Sequence, residues 1–152
     1  MNALPTARTP AATPLLRAAR NVLSVFKLRI GFMITVTALA GMVVTPGPAL
    51  GWTKILVLML AVLASSASAG AFNQYYEHDS DRLMARTRGR VFVTGEVRHT
   101  PAWLVLIALM LAAAVLLAAW VLNPLSAAYI FLGAFFYAIV YPVWLKRRTW
   151  LN

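Results

Sequence analysis

The chain has 152 residues, of which 61% are apolar and 12% charged, and its 14 lysines and arginines against 4 acids give a formal net charge of +10. Soluble domains are roughly 45–50% apolar and about 25% charged, so this composition excludes an ordinary water-soluble fold, and its apolar excess excludes a disordered chain. The chain contains no cysteine, which excludes disulfides, cysteine nucleophiles and thiolate-bound metals. We therefore expect one all-α domain in a lipid bilayer, with no nucleic-acid partner.

Residues 1–27 form a basic leader that we expect to be partly flexible. The leader is rich in arginine, threonine and proline and has no acid. This composition is typical of a cytoplasmic flank, and it also fits an organellar transit peptide. A cleavable secretory signal does not fit, because the first apolar stretch begins too far into the chain and is too long.

Four apolar stretches are candidates for membrane spans, which need about 20 residues each. They cover residues 28–44, 55–72, 102–122 and 125–145. The first is the shortest and contains Arg29, whose side chain can reach the lipid headgroups. Asn123 and Pro124 separate the last two stretches and predict a tight antiparallel hairpin. Tryptophans near the span ends fit the membrane interface, where indole rings are enriched; they are Trp52, Trp103, Trp120 and Trp144.

The positive charges predict the orientation of this four-span bundle, residues 28–145. Counted with Arg29 at the start of the first span, the leader, the loop between the second and third spans, and the basic tail at 146–152 hold 13 of the 14 positive residues, and Lys54 is the exception. Positively charged loops remain in the cytoplasm. Both termini and the long middle loop are therefore expected to be cytoplasmic.

The second predicted span is rich in small residues and ends in a cluster of acids. Alanine, serine and glycine occupy residues 64–71, and small residues allow helices to pack closely in lipid. Three of the chain's four acids follow within five residues; they are Glu77, Asp79 and Asp81, and the fourth acid is Glu96.

If the helix continues through this cluster, Asn73, Glu77 and Asp81 share one face, because residues four apart lie on the same side. Asp79 lies about half a turn away and joins them only if the helix ends or distorts there. Neighbouring carboxylates repel each other, and a bound cation relieves this repulsion. Carboxylate and amide oxygens suit magnesium, which also binds substrate phosphates. The spacing therefore predicts a Mg²⁺ site.

Four arginines follow the acids: Arg82, Arg86, Arg88 and Arg90. Guanidinium groups make bidentate contacts with phosphate, so the acids and arginines together predict a site for a metal-bound diphosphate. A solvated, salt-bridged helix end explains the same pattern equally well. The positive-inside rule alone also accounts for the arginines.

Other residues have ordinary explanations beside functional ones. His78 and His99 are candidate heme ligands, although a solvated loop histidine is the commoner case. The aromatic residues of the last span could line a prenyl pocket, but lipid-facing or interhelical packing is the commoner role. Ser65, Ser66 and Ser68 are expected to be packing residues, because no base is positioned to activate them.

The segment beginning at Asn73 resembles the intramembrane aromatic and quinone prenyltransferase superfamily, whose first acidic motif is an asparagine with acids four and eight residues later. The continuation resembles the heme-farnesylating branch of that superfamily, with matches at Met84, Arg86, Thr87 and Arg90. Residues 26–29 and 141–149 also resemble that branch. The resemblance covers residues 20–152.

The resemblance implies transfer of the farnesyl group of farnesyl diphosphate to a vinyl group of protoheme IX. It implies that Asn73, Glu77 and Asp81 hold a magnesium-bound diphosphate, and that Arg86 and Arg90 contact the diphosphate. It also implies a multi-pass protein of the bacterial inner membrane, with the mitochondrial inner membrane as the alternative.

The sequence departs from this family pattern in two ways. Val91 stands where the family has proline, which would fix the backbone angle of the loop. No second acidic motif follows Asp81, so we expect an N-terminal portion that is inactive without a missing second half. The open alternatives are a non-catalytic membrane subunit that binds anionic lipid or a protein, and a prenyltransferase with another aromatic or quinone acceptor. A transporter is disfavoured, because no ionisable residue lies in the middle of a span.

Overall fold

The computed structural model describes residues 13–145, which are helical apart from short connections. The predicted tail at 146–152 and the first twelve residues of the predicted leader lie outside the described residues. The helices are α1 (Pro14–Val25), α2 (Leu28–Val44), α3 (Trp52–Tyr76), α4 (His78–Leu83), α5 (Val91–Thr94), α6 (Ala102–Val121) and α7 (Pro124–Phe135), which continues as a π-helix over Phe136–Leu145. The all-α prediction is confirmed.

Three helical segments are long and apolar enough to cross a membrane: Trp52–Tyr76, Ala102–Val121 and Pro124–Leu145. A fourth candidate is the pair formed by α1 and α2, which bends by 50° at its break. The structure therefore has three or four candidate spans. The count of four and the cytoplasmic side of the termini stay predictions.

Two spans differ most from the predicted ones. The helix predicted at 55–72 runs from Trp52 to Tyr76; the prediction counted only the uncharged apolar stretch, whereas helical hydrogen bonding continues through the polar residues at both ends. The last span changes to a π-helix that contains Pro142. Proline has no N–H to donate, and its ring crowds the preceding helical turn. The helical turn around Pro142 therefore widens into a π-helix.

The predicted hairpin between the last two spans is present. α6 and α7 pack together, and α7 begins with Pro124 at its first turn. The side chain of Asn123 accepts a hydrogen bond from the backbone N–H of Ser126 at 2.7 Å. This is a helix N-cap, and a proline in the first turn costs no hydrogen bond.

Helix α3 is the centre of the bundle and packs against α2, α6, α7 and the π-helix. Its small residues are buried as predicted, among them Ala67, Ser68, Ala69 and Gly70. On α2, a Cβ atom at Gly31 would lie 3.1 Å from Cδ1 of Leu63. Small residues therefore set the close approach of α2 and α3.

Of the four tryptophans near the predicted span ends, three are exposed at helix ends and one is packed. Trp52, Trp120 and Trp144 are exposed, as expected for interface residues. Trp103 instead lies edge-on to Phe92, with ring centroids 5.4 Å apart, and 6.2 Å from Phe26. It joins a cluster that ties α1, α3, α5 and α6 together at the end of the bundle that carries the acids.

The predicted leader is not uniform. Its second half forms α1, which begins at Pro14 and ends at Val25, and the chain turns into α2 through Phe26 and Lys27. The composition of residues 1–27 predicts a partly flexible flank and does not predict this helix.

Candidate metal and diphosphate site

The predicted face of Asn73, Glu77 and Asp81 is assembled across a break in the helix. α3 ends at Tyr76, and α4 begins at His78, so the helix is interrupted at Glu77. However, the N–H of Glu77 donates to the carbonyl of Asn73 at 3.0 Å, and that of Asp81 donates to the carbonyl of Glu77 at 2.8 Å. These two bonds preserve the four-residue spacing, so the three residues follow one another along the same side.

The three residues are buried, whereas Asp79 is not. Asn73, Glu77 and Asp81 are 5%, 7% and 0% exposed. The side chain of Asp79 is 94% exposed, and its Oδ1 lies 3.0 Å from Nδ1 of His78. The structure therefore does not bring Asp79 to the other acids, although the helix breaks before it.

Arg90 joins the two buried carboxylates. Its Nη1 donates to Oδ2 of Asp81 and lies 3.4 Å from Oε2 of Glu77. A guanidinium beside two carboxylates offsets their mutual repulsion. The family resemblance implies that Arg90 contacts a diphosphate, and the structure shows it as the partner of the acids.

A compact turn at residues 84–90 places Arg90 there. The backbone N–H groups of Thr87 and Arg88 both donate to the carbonyl of Met84, and that of Arg90 donates to the carbonyl of Thr87. The hydroxyl of Thr87, which is buried, donates to the backbone carbonyl of Asp81 at 3.2 Å. Thr87 thus fastens the turn to α4. The turn thus brings Arg90 back to the acids.

Two oxygen atoms of the site have no hydrogen-bond partner among the described residues: Oδ1 of Asn73 and Oδ1 of Asp81. Buried polar atoms are nearly always paired, and an unpaired one costs about 1–3 kcal/mol. An amide oxygen and a carboxylate oxygen are the donor types that a hard cation such as Mg²⁺ prefers. The residues present therefore fit a magnesium ion. Within the described part of the chain, no group of three His, Cys, Asp or Glu residues could hold a metal ion, so such a site needs the Asn73 amide, water or substrate oxygens.

The other arginines of the segment are exposed. Arg82, Arg86 and Arg88 lie on the outside of α4 and the turn. The structure does not bring them to the carboxylates as it brings Arg90. Their predicted contacts with diphosphate stay predictions.

A stack of aromatic rings beside the acids was not predicted. The ring of His99 lies 4.0 Å from that of Tyr75 and 4.4 Å from that of His78, with nearly parallel planes. The ring N–H of His99 donates to the backbone carbonyl of Tyr75 at 3.0 Å. The stack ties the end of the middle loop to the end of α3. His99 is therefore not merely a solvated loop residue, and heme ligation by either histidine is untested.

Two apolar cavities lie on either side of the contact between α3 and α7. One, of about 390 Å³, lies between α2, α3 and α7, and Tyr129 and Tyr137 are among its lining residues. The other, of about 290 Å³, lies between α3, α6 and α7 beside Phe131 and Phe135. The aromatic residues of the last span therefore line cavities as well as packing. Ser65 and Ser68 donate to backbone carbonyls of α3, as expected for packing residues.

The UbiA prenyltransferase family matches residues 34–152, a range that contains the whole acidic segment and the turn that carries Arg90. The chain belongs to this family. As a member of this family with several long apolar helices, it is a multi-pass membrane protein.

Curated relatives point to one branch of the UbiA prenyltransferases. The chain is 50% identical over 129 residues to "Protoheme IX farnesyltransferase 2" of Paramagnetospirillum magneticum, a match covering 85% of this chain and 45% of that protein. It is 38% identical over 126 residues to "Protoheme IX farnesyltransferase" of Pyrobaculum neutrophilum, covering 83% and 45%. The chain thus spans about half the length of the curated relatives it matches. No solved structure matches it.

Proposed function

We propose that this chain supplies the first acidic motif of a protoheme IX farnesyltransferase, or heme O synthase. The reaction joins the farnesyl group of farnesyl diphosphate to a vinyl group of protoheme IX and releases diphosphate, while a water molecule adds to the vinyl group as hydroxyl and loses a proton, which converts heme B to heme O. The names of the relatives support this proposal. The observation that carries it is the pair of buried, unpaired oxygens on Asn73 and Asp81, next to Glu77.

In this proposal, Asn73, Glu77 and Asp81 hold a Mg²⁺ ion together with the diphosphate. When bound, magnesium neutralises charge that develops on a departing diphosphate. Asp79 is left out of the site, because its side chain points into water. The ligand set is then two carboxylates and one amide, which leaves positions for phosphate oxygens and water.

Arg90 orients the carboxylates in this proposal. Its contacts with Glu77 and Asp81 hold both side chains on one side of the junction between α3 and α4. A guanidinium has five N–H donors, and these contacts use only Nη1, so other donors can reach a diphosphate. Arg82 and Arg86 are exposed beside the site and approach a diphosphate from the water side.

The apolar bundle provides the environment for the prenyl chain and the porphyrin. The site lies at the end of α3, where the apolar helix meets the charged loop. A substrate with an anionic head and an apolar tail fits such a boundary, because each part meets a matching surface. The proposal also places four spans in a bacterial inner membrane, with both termini and the middle loop in the cytoplasm. The second half found in the relatives is the proposed partner.

A chimera tests this function. The chain would be joined to the C-terminal portion of the Paramagnetospirillum magneticum relative that lies beyond its match, and the purified chimera would be given protoheme IX, farnesyl diphosphate and Mg²⁺. We expect farnesylated heme by mass spectrometry. Glu77→Gln and Asp81→Asn should each lower turnover by about 10²-fold or more, because they remove charge that the transition state needs.

Asp79→Asn is the matched control, since it makes the same chemical change two residues away on an exposed side chain. It should leave turnover within about threefold of the parent. A chimera that folds and makes no farnesylated heme would contradict the proposed reaction. Equal losses in all three variants would contradict the proposed ligand set.

A further inference from the structure

Helix α1 has two chemically distinct faces. At 100° per residue, its apolar side chains fall on one side, and they are Leu15, Leu16, Ala19, Val22 and Leu23. The opposite side carries Arg17, Arg20, Asn21 and Ser24. The large apolar residues are exposed, with Leu15 at 82% and Leu16 at 62%. Within the described chain, this apolar face lies against no other helix.

Neither water nor hydrocarbon suits such a helix. In water, the exposed leucines would lose the free energy that burial of apolar surface provides. In hydrocarbon, Arg17 and Arg20 would be buried charges, which are expensive in a bilayer. A helix with one apolar and one basic face is stable where both media meet, in the headgroup layer.

The length of α2 places α1 at that layer. The 17 residues of α2 make a helix about 26 Å long, which nearly spans a hydrocarbon core about 30 Å thick. Residues before Leu28 therefore lie at the membrane surface if α2 crosses the bilayer. The 50° bend between α1 and α2 then turns α1 away from the axis of α2 and toward the plane of the membrane.

Contacts with α3 fix this bend. The side-chain amide of Gln74 donates to the backbone carbonyls of Ser24 and Val25 at 2.8 and 2.9 Å, so it satisfies the end of α1. Val25 is fully buried. Lys27 adopts a left-handed backbone conformation with φ of 47°. The C-terminal end of α1 is thus attached to the bundle.

The charge of this region selects the kind of surface. Residues 13–76 contain no acid, and α1 carries Arg17 and Arg20 with Lys27 and Arg29 close behind. Basic residues near a membrane are attracted to anionic headgroups, and each Lys or Arg adds a similar increment of binding free energy. The exposed face of α1 is separate from Asn73, Glu77 and Asp81, which lie on α3, on α4 and between them.

We propose that α1 is an interfacial helix that docks on the bilayer surface, with its leucines among the acyl chains and its arginines on anionic phospholipid headgroups. This docking holds the end of the bundle where α1, α3 and α5 meet at a fixed depth in the membrane. The proposal does not depend on the chemistry at Glu77 and Asp81.

Fluorescent probes can test the depth of each face. The chain has no cysteine, so Leu16→Cys and Leu23→Cys report on the apolar face, and Ser24→Cys is the matched control on the polar face. Each full-length variant would carry an environment-sensitive nitrobenzoxadiazole label in phosphatidylcholine vesicles with and without phosphatidylglycerol. We expect doxyl lipids to quench the probes at residues 16 and 23, and aqueous iodide to quench the probe at residue 24.

The contribution of the two arginines to docking is tested by introducing Arg17→Gln and Arg20→Gln together into the Leu23→Cys chain. If each arginine strengthens docking on phosphatidylglycerol about fivefold, the double change should lower the docked-to-undocked ratio about 25-fold. Quenching of all probes by iodide would overturn the proposal. Protection of residues 16 and 23 from both quenchers would also overturn it, because another protein segment would then cover the apolar face. If docking of the chain with Arg17→Gln and Arg20→Gln depended on phosphatidylglycerol as strongly as docking of the parent, the proposed role of anionic lipid would be overturned.

Discussion

Nη1 of Arg90 donates to Oδ2 of Asp81, nine residues earlier in the chain, while Oδ1 of the same carboxylate has no hydrogen-bond partner among the described residues. Asp81 is fully buried. The carboxylate is therefore held on one side by a fixed cation and presents its other oxygen to the site. This arrangement gives Arg90 a structural role that can be separated from any contact with substrate.

Replacing Arg90 with alanine should destabilise the protein. The change leaves the buried carboxylate of Asp81 without its cation, and removing one partner of a buried ion pair costs about 3–5 kcal/mol. The free energy of unfolding of the detergent-solubilised chain measures the loss. Arg88→Ala is the control, because Arg88 is exposed in the same turn, and its effect should stay within about 0.5 kcal/mol.

A double variant then separates the pair from other effects of Arg90. Asp81→Asn in the Arg90→Ala chain removes the stranded charge, so it should recover part of the lost stability. If the double variant is less stable by the sum of the two single losses, the two residues are not coupled and the described ion pair does not carry the stability.

Gln74→Leu should release α1 from the bundle. Leucine has a similar size but cannot donate to the carbonyls of Ser24 and Val25, and each carbonyl left unpaired costs about 1–3 kcal/mol. We expect faster amide hydrogen exchange in α1 and faster tryptic cleavage after Arg17 and Arg20. Ser24→Ala removes only a local side-chain bond to Asn21 and should leave both rates nearly unchanged. Equal rates for Gln74→Leu and the parent would show that Gln74 does not hold α1.

Cysteine labelling tests the orientation. Thr94 and Thr53 are exposed at opposite ends of the bundle, and the positive charges predict that Thr94 is cytoplasmic. In intact cells, an impermeant thiol reagent should label Thr53→Cys but not Thr94→Cys. Labelling of Thr94→Cys from outside would invert the proposed topology.

The sequence predicted those parts of the fold that depend on local pattern. Apolar stretches predicted the spans, Asn123 and Pro124 predicted the hairpin, and the residues at 64–71 predicted the buried face of α3. These features follow from neighbouring residues, because hydrophobicity and helix capping act over a few positions. α1 also had a local signal, since Pro14 precedes apolar residues at helical spacing, but the basic composition of the leader obscured it.

The site depends on contacts between distant residues, and these could not be predicted in the same way. The spacing placed Asn73, Glu77 and Asp81 on one face, and these three are the buried residues, whereas Asp79 is exposed. Spacing could not show that Arg90 returns to the acids, because this depends on the turn at residues 84–90. The same holds for Gln74 on α1 and for His99 on Tyr75, where partners come from different helices and loops.

Metal binding tests the central claim most directly, because it needs neither heme nor the second half of the relatives. Mn²⁺, which can replace Mg²⁺ and gives an electron paramagnetic resonance signal, would be titrated into the purified chain with pyrophosphate. We predict that the parent chain binds Mn²⁺ and that Glu77→Gln and Asp81→Asn each lower the affinity by about tenfold or more, since even partners of metal ligands contribute that much. Asp79→Asn should leave the affinity within about twofold of the parent. Equal affinity of the Glu77→Gln and Asp81→Asn variants and the parent chain would contradict the account.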